Sequence, residues 1–140
     1  MTQRESIVRD SFSRQGFMKT LGAEISVLDH GQVEIRVAYR PTLTQQNGFI
    51  HAGVLTSILD SACGYAAMSV GPEKHDVLSV EFKVNLLAPA KGERFVARAA
   101  VKRAGKNLTV CTADAFAIQN GQEKAVATML ATMMNISPKH

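Results

Sequence analysis

The sequence predicts an α+β protein in which an antiparallel sheet curls around one long, almost uncharged helix, with a further helix at the N-terminus. Three observations lead there. Apolar and polar residues alternate over several segments, as in strands with one buried face. Turns rich in Gly, Asn, Asp and Pro separate those segments. Between Pro41 and Pro72, Asp60 is the only Asp, Glu, Lys or Arg, so the helix-length stretch inside that span must be covered on most sides.

Residues 2–15 carry Ile7, Val8 and Phe12 at helical spacing, less cleanly continued by Phe17 and Met18, and predict an amphipathic helix. Residues 23–28 and 32–40 flank the turn Asp29-His30-Gly31. In the second of them Val33, Ile35, Val37 and Tyr39 oppose Glu34, Arg36, Ala38 and Arg40, which predicts a hairpin with one buried face. The central helix is expected over 54–68, with Thr56, Ser57, Asp60, Ser61 and Gly64 forming a polar or small stripe on otherwise apolar flanks. Over 78–87, Val80, Phe82, Val84 and Leu86 alternate with Ser79, Glu81, Lys83 and Asn85. Three more strands are expected over 94–103, 108–119 and 124–135, joined at Ala104-Gly105-Lys106-Asn107 and at Asn120-Gly121, the latter a strong hairpin signal. One helix cannot cover both faces of such a sheet. The sheet is therefore expected to wrap the helix and to present a remaining apolar edge or face to a second copy of the chain. No repeat or linker divides the sequence, so residues 1–140 are read as one domain.

Composition narrows the function classes. Hydrophobic residues make up 46% and charged residues 20% of the 140, close to globular averages, which argues against disorder or a disulfide scaffold. The net charge of +4 fits an anionic partner, but with no Trp, 6% aromatics and singly spread basic residues nucleic acid is a poor candidate. Arg4, Glu5, Arg9 and Asp10 interrupt the place where an export signal needs apolar residues, and no apolar run approaches the roughly 20 residues of a membrane span. Cys63 and Cys111 form no C-x-x-C pair and read as core thiols in a reducing compartment, which with the missing signal predicts a cytoplasmic location. His30, His51, His75 and His140 are scattered without ligand spacing, so no metal is expected.

The candidate site is the loop 44–53 and the helix it enters. The first turn of a helix has unsatisfied N–H groups and the positive end of the dipole, where an incipient oxyanion can rest. Ala52 and Gly53 are small enough to let a substrate carbonyl approach the backbone, although small residues there also serve simply to let the chain turn tightly. Asp60 is a lone carboxylate in an apolar helix, retained either for a partner such as an Arg or backbone amides, or for a task. Its small, polar surroundings favour the wall of a cleft. At about 1.5 Å per residue, Gly53 and Asp60 lie roughly 10 Å apart along one helix. If both act on one reacting carbon they come from different protomers, which places the site at a dimer interface.

The run Gly48-Phe49-Ile50-His51-Ala52-Gly53-Val54-Leu55, with Leu59-Asp60, Ala62 and Gly64, followed by Ser79-Val80-Glu81-Phe82, Val84-Asn85, Leu87, Pro89-Ala90 and Gly92, resembles the phenylacetate-pathway-type branch of the hotdog-fold thioesterases. The resemblance extends over about 21–136. It implies a hotdog fold, dimers or dimers of dimers, and hydrolysis of acyl-CoA thioesters with no cofactor beyond the coenzyme A of the substrate. It also implies roles. Asp60 matches the catalytic carboxylate that acts as general base or nucleophile, and Ala52 matches the glycine whose backbone N–H polarises the thioester carbonyl. His51 matches a residue that orders this loop, and Ser79 a hydroxyl that helps place the attacking water in some members. Two positions depart from the pattern: relatives commonly have Asn where this chain has Gln45, and His-Gly-Gly where it has His51-Ala52-Gly53. Gln45 still supplies a carboxamide and Ala52 an N–H, while Asn47 competes by residue type but lies out of register.

Thioester hydrolysis is chemically economical, because the leaving thiol has a pKa near 8.5 and needs no strong general acid. Among basic residues the turn Lys102-Arg103-Ala104-Gly105-Lys106 is the best candidate to meet the phosphates of coenzyme A, ahead of Lys83 and Arg98. Phe49, Tyr65 and Met68 are candidates to line the acyl pocket. Two other readings compete: a hotdog hydratase or dehydratase pairing His51 with Asp60, and an acyl-CoA-binding module without turnover.

Overall fold

A computed structural model describes residues 1–138; His140 lies outside the described residues. Two helices precede the sheet, α1 over Gln3–Ser13 and α2 over Gly16–Leu21. They are followed by β1 (Glu24–Asp29), β2 (Gln32–Ala38), a 3-10 turn (Pro41–Leu43), α3 (Ala52–Met68), β3 (Asp76–Leu86), β4 (Arg94–Ala104), β5 (Leu108–Gln119) and β6 (Gln122–Ile136). Six strands form one wholly antiparallel sheet in the order β1-β2-β4-β5-β6-β3, so β1 and β3 are its edges.

The sheet is paved with alanine where the helix lies on it. Cross-strand rows Ile35–Ala97–Ala115–Ala127 and Val33–Ala99–Ala113–Met129 run beneath α3, and all eight side chains are buried. These short side chains let α3 sink close to the sheet, and Leu55, Ile58, Leu59 and Cys63 fill the layer from the helix side. The packing involves β2, β3, β4, β5 and β6. The predicted stripe Thr56, Ser57, Asp60, Ser61 and Gly64 is the side of α3 least covered, with Ser61 alone of the five buried.

Turn chemistry sets the hairpins. Asn120 and Gly121 both adopt positive φ, 52° and 75°, as a two-residue primed turn requires. Gly31 at φ 75° does the same between β1 and β2, and its N–H donates to Ser69 Oγ at 2.7 Å, tying that turn to the C-terminus of α3.

Three expectations from the sequence are corrected. The N-terminal helix is not continuous to Phe17 and Met18: Gln15 is extended, and a separate α2 buries Met18 and Leu21. β2 ends at Ala38, so Tyr39 is exposed; the turn opened by Pro41 takes over there. The most consequential correction is in β3. Strict alternation puts Ser79 on the face of Glu81 and Lys83, but a β-bulge between Ser79 and Glu81 shifts the register. Ser79 then pairs with buried Met133 and shares the helix-facing side with Phe82 and Val84.

Because Ile58 is fully buried between α3 and the alanine rows, Ile58→Ala leaves a cavity that rigid strands cannot fill. Chemical denaturation should show a loss of about 2–5 kcal/mol with an unchanged m-value.

Candidate active site

Asp60 lies mid-way along α3 and is half-buried, less covered than an uncharged helix suggests. Its partner is a hydroxyl and not an arginine: Ser79 Oγ donates to Asp60 Oδ1 at 2.6 Å. The β3 bulge makes this contact possible by turning Ser79 toward the helix. Ser79 Oγ also lies 3.4 Å from Met133 Sδ, so the hydroxyl is held between an apolar floor and the carboxylate. With Oδ1 occupied, Asp60 keeps Oδ2 for another proton donor. The pair borders a cleft of about 350 Å³ lined by Gln15, Ser61, Gly64, Tyr65 and Met68 among others.

The N-terminus of the same helix forms a second, separate cleft of about 590 Å³, lined by Gln45, Phe49, His51, Ala52 and the segment Leu86–Ala90. Phe49 therefore belongs to this cleft, while Tyr65 and Met68 belong to the first. His51 is the N-cap of α3: its Nδ1 accepts from the Gly53 N–H at 2.7 Å, and its carbonyl accepts from the Val54 N–H at 2.9 Å. Gly53 consequently has no N–H to offer a substrate, contrary to the role assigned to it from sequence. A Cβ at Gly53 would stand 3.0 Å from His51 Nδ1, so glycine is what lets the imidazole cap this closely. The Ala52 N–H, by contrast, has no acceptor among the described residues.

Gln45 organises the preceding loop. Its Oε1 accepts from the backbone N–H of Asn47 at 2.6 Å and of Phe49 at 3.3 Å, which leaves its Nε2 without an acceptor among the described residues. Asn47 contributes its backbone to this turn and exposes its side chain. The loop is pinned on both sides, by His51 N–H to Leu43 O at 2.9 Å and Ile50 N–H to Ala90 O at 3.0 Å.

The structure thus brings Asp60 to Ser79, and Gln45 to His51 and Ala52, but keeps the two groups apart. Ala52 and Asp60 are separated by about 12 Å of helix rise. Lys102 and Arg103 at the end of β4 and Lys106 in the turn to β5 are exposed and form no ion pair among the described residues. Arg98 is engaged elsewhere: its Nε lies 3.1 Å from Glu34, its guanidinium forks onto Glu123, and it lies over the Phe116 ring. The hydrogen bond to Glu123 pushes its pKa up, and the two carboxylates already occupy its guanidinium. Cys63 and Cys111 are free buried thiols, and the hydrogen bond with Cys111 together with burial pushes the Cys63 thiol well up.

Sequence reasoning missed Gln15, which carries no pattern in the sequence but is drawn into the first cleft. Its Nε2 donates to Tyr65 Oη at 3.1 Å and its Oε1 accepts from Ser61 Oγ at 3.3 Å. No helix among the described residues is long and apolar enough to cross a membrane.

A family model described as the thioesterase superfamily matches residues 47–124, a span that includes Asn47, His51, Ala52, Asp60 and Ser79. A solved structure of a thioesterase family protein from Silicibacter pomeroyi is 54% identical, covers 96% of this chain and 99% of that one, and superposes with a TM-score of 0.94. The Escherichia coli PaaI protein from the phenylacetic acid degradation operon shares the fold at 20% identity, with a TM-score of 0.86 over 98% of this chain and 96% of that one. A medium/long-chain acyl-CoA thioesterase of Escherichia coli, YigI, is 24% identical over 133 residues, 84% of this chain and 84% of that protein. The arrangement of one antiparallel sheet around α3 is the hotdog fold of these structures.

One titratable group near the clefts is held in an unfavourable place. His75, in the loop before β3, is 8% exposed, and neither ring nitrogen has a well-formed hydrogen bond among the described residues. Burial lowers its pKa from 6.5, opposed by the nearby Pro72 backbone and by Asp76, with Arg4 acting in the same direction as burial. A folded-state pKa below the unfolded value means stability that is fully present above about pH 6.5 and is lost as pH falls from there through the lower folded-state value. Urea denaturation at pH 7.5 and 5.0 should show that loss, and His75→Leu should reduce it.

Proposed function

The chain belongs to the thioesterase superfamily, and on that premise we propose that it hydrolyses acyl-CoA thioesters in sites built from two copies of the chain. The observation that carries this reading is the Ser79 Oγ to Asp60 Oδ1 hydrogen bond of 2.6 Å. It fixes a carboxylate at the wall of a cleft and leaves one oxygen to take a proton from water. The relatives' names supply the substrate class.

In the proposed reaction a water molecule held by Asp60 attacks the thioester carbonyl carbon, and its proton passes to Asp60. The carbonyl oxygen becomes an oxyanion that accepts from the Ala52 N–H, at the positive end of α3, with Gln45 Nε2 as second donor. Collapse breaks the C–S bond, releases the free acid and returns the proton from Asp60 to the thiolate of coenzyme A. With a thiol pKa near 8.5 the leaving group needs little further help. No resident cofactor enters this scheme. The exposed Lys102, Arg103 and Lys106 then offer point charges for the phosphates of coenzyme A.

A second copy supplies what the 12 Å separation denies to one chain. β3 is an edge strand of 11 residues whose backbone is unpaired on one side. Phe82 and Leu86 point toward the helix side, with buried Ala131 and Ala127 as their cross-strand partners, yet are 40% and 56% exposed. They extend the concave floor past the reach of α3, where a partner's helix would cover them. In such a pair the Asp60 cleft of one protomer faces the Ala52 cleft of the other, and two equal sites result.

Asp60→Asn should lower kcat by about 10²–10⁴ while the dimer persists in size-exclusion chromatography; undiminished turnover sinks the assignment. Ala52→Pro removes only the N–H, since proline is well tolerated at the first helical position, and should cost about 10²–10³ in kcat. The two inactive variants mixed and reassociated should recover about a quarter of wild-type activity, from the one intact site in each mixed dimer. Failure to complement means that each chain forms its site alone.

A further inference from the structure

The cleft beside Asp60 is larger than a carboxylate and its water require, with a volume of about 350 Å³. Gly64 stands one helical turn beyond Asp60 on its wall, and a Cβ built there meets nothing within 4 Å. Its φ is not in the left-handed region, so neither backbone conformation nor packing asks for glycine in mid-helix, where alanine is the better residue. What the missing side chain provides is room. One wall of the cleft is apolar, formed by Met68, Val77 and Met133. The polar part of the lining is fixed: Gln15 bridges Tyr65 Oη and Ser61 Oγ, and Tyr65 Oη lies 3.2 Å from Ser11 Oγ. That network fastens the end of α1 to α3 beside the cleft. Arg14 and Asp76 also line this cleft, and past Met68 the adjoining cleft adds Asp10, Glu73 and Lys74, where charged groups leave a methylene group little apolar contact.

We propose that this cleft seats the acyl chain, that Gly64 is its specificity-determining residue, and that the chains accepted are linear and reach about ten carbons. The inference rests on the Asp60 reading above. Gly64 and Met68 lie about 6 Å and about 12 Å from Asp60 along the helix. An extended alkyl chain with C–C bonds of about 1.5 Å advances ~1.25 Å per carbon. About five carbons therefore reach Gly64, and about ten reach the end of the apolar wall. A side chain at position 64 would block the path midway, without touching the carboxylate or the helix N-terminus.

Calorimetric binding of S-ethyl-, S-butyl-, S-octyl- and S-dodecyl-coenzyme A, thioethers that no esterase can cleave, tests this in the full chain. Wild-type affinity should rise at least tenfold from butyl to octyl and gain less per carbon from octyl to dodecyl, whose last two carbons lie past the apolar wall. Gly64→Val should leave ethyl and butyl within about twofold and weaken octyl at least tenfold. Gly64→Ala, which favours the helix and meets nothing, should fall between the two and keep the thermal midpoint at or above wild type. An affinity independent of chain length, or a loss in Gly64→Ala and Gly64→Val that is the same for every length, overturns the proposal. Since the probes bind without reacting, failure here is distinct from failure of the Asp60 reading, which thiol release from the thioesters reports separately.

Discussion

Everything in this molecule depends on how closely α3 can approach the sheet. Seven alanines on three strands, Ala97 and Ala99, Ala113, Ala115 and Ala117, Ala127 and Ala131, pave the centre of the floor beneath it and are all buried. A floor of short side chains lets Leu55, Ile58 and Leu59 fill the layer, and it requires the helix to be apolar on the sides that the curled sheet surrounds. Only one narrow side escapes. Every polar group that α3 carries between Ala52 and Gly64 lies on that side, so the demand of the core concentrates the chemistry of the helix into a single stripe.

The same burial explains why the two clefts are separate. A straight helix held along its length by five strands cannot bend to bring its N-terminus to its middle, so Ala52 and Asp60 stay about 12 Å apart. On the proposed reading this rigidity is an advantage: two straight helices related by a two-fold axis set carboxylate against N–H twice over, with neither chain deformed. Exposed Phe82 and Leu86 on the inner face of β3 fit that picture, since the helix covers this edge strand only in part.

Much of the fold was legible in the sequence because it follows from two periodicities and a few turns. The alternation in β2, β5 and β6, the Asn120-Gly121 turn and the uncharged central helix each translate directly into the observed elements. Asp60 stood out for the same reason: a charge in a buried pattern is a physical anomaly. What stayed hidden depends on single-residue events without periodic signal. The bulge that turns Ser79 from the outer to the inner face adds one residue to β3 and leaves the composition unchanged. The reach of Gln15 across to Tyr65 and Ser61 is a contact between chain segments about 50 residues apart, set by how α1 docks. The engagement of Gly53 by His51 is local, yet which of two adjacent N–H groups is taken depends on one side-chain torsion.

That last detail bears on the proposed chemistry. Helix N-caps are usually Ser, Thr, Asp or Asn, whose oxygen accepts from the second or third N–H. An Asp cap at position 51 would satisfy the Gly53 N–H equally well, but would set a full negative charge one residue from the donor meant for an oxyanion. Through Coulomb repulsion in a partly desolvated cleft it would oppose the charge that develops in the transition state. His51 accepts through Nδ1, so in this arrangement its ring proton sits on Nε2, and the cap brings no anion. It fixes the first turn of α3, leaves the Ala52 N–H without an acceptor among the described residues, and preserves the positive end of the helix for the proposed oxyanion.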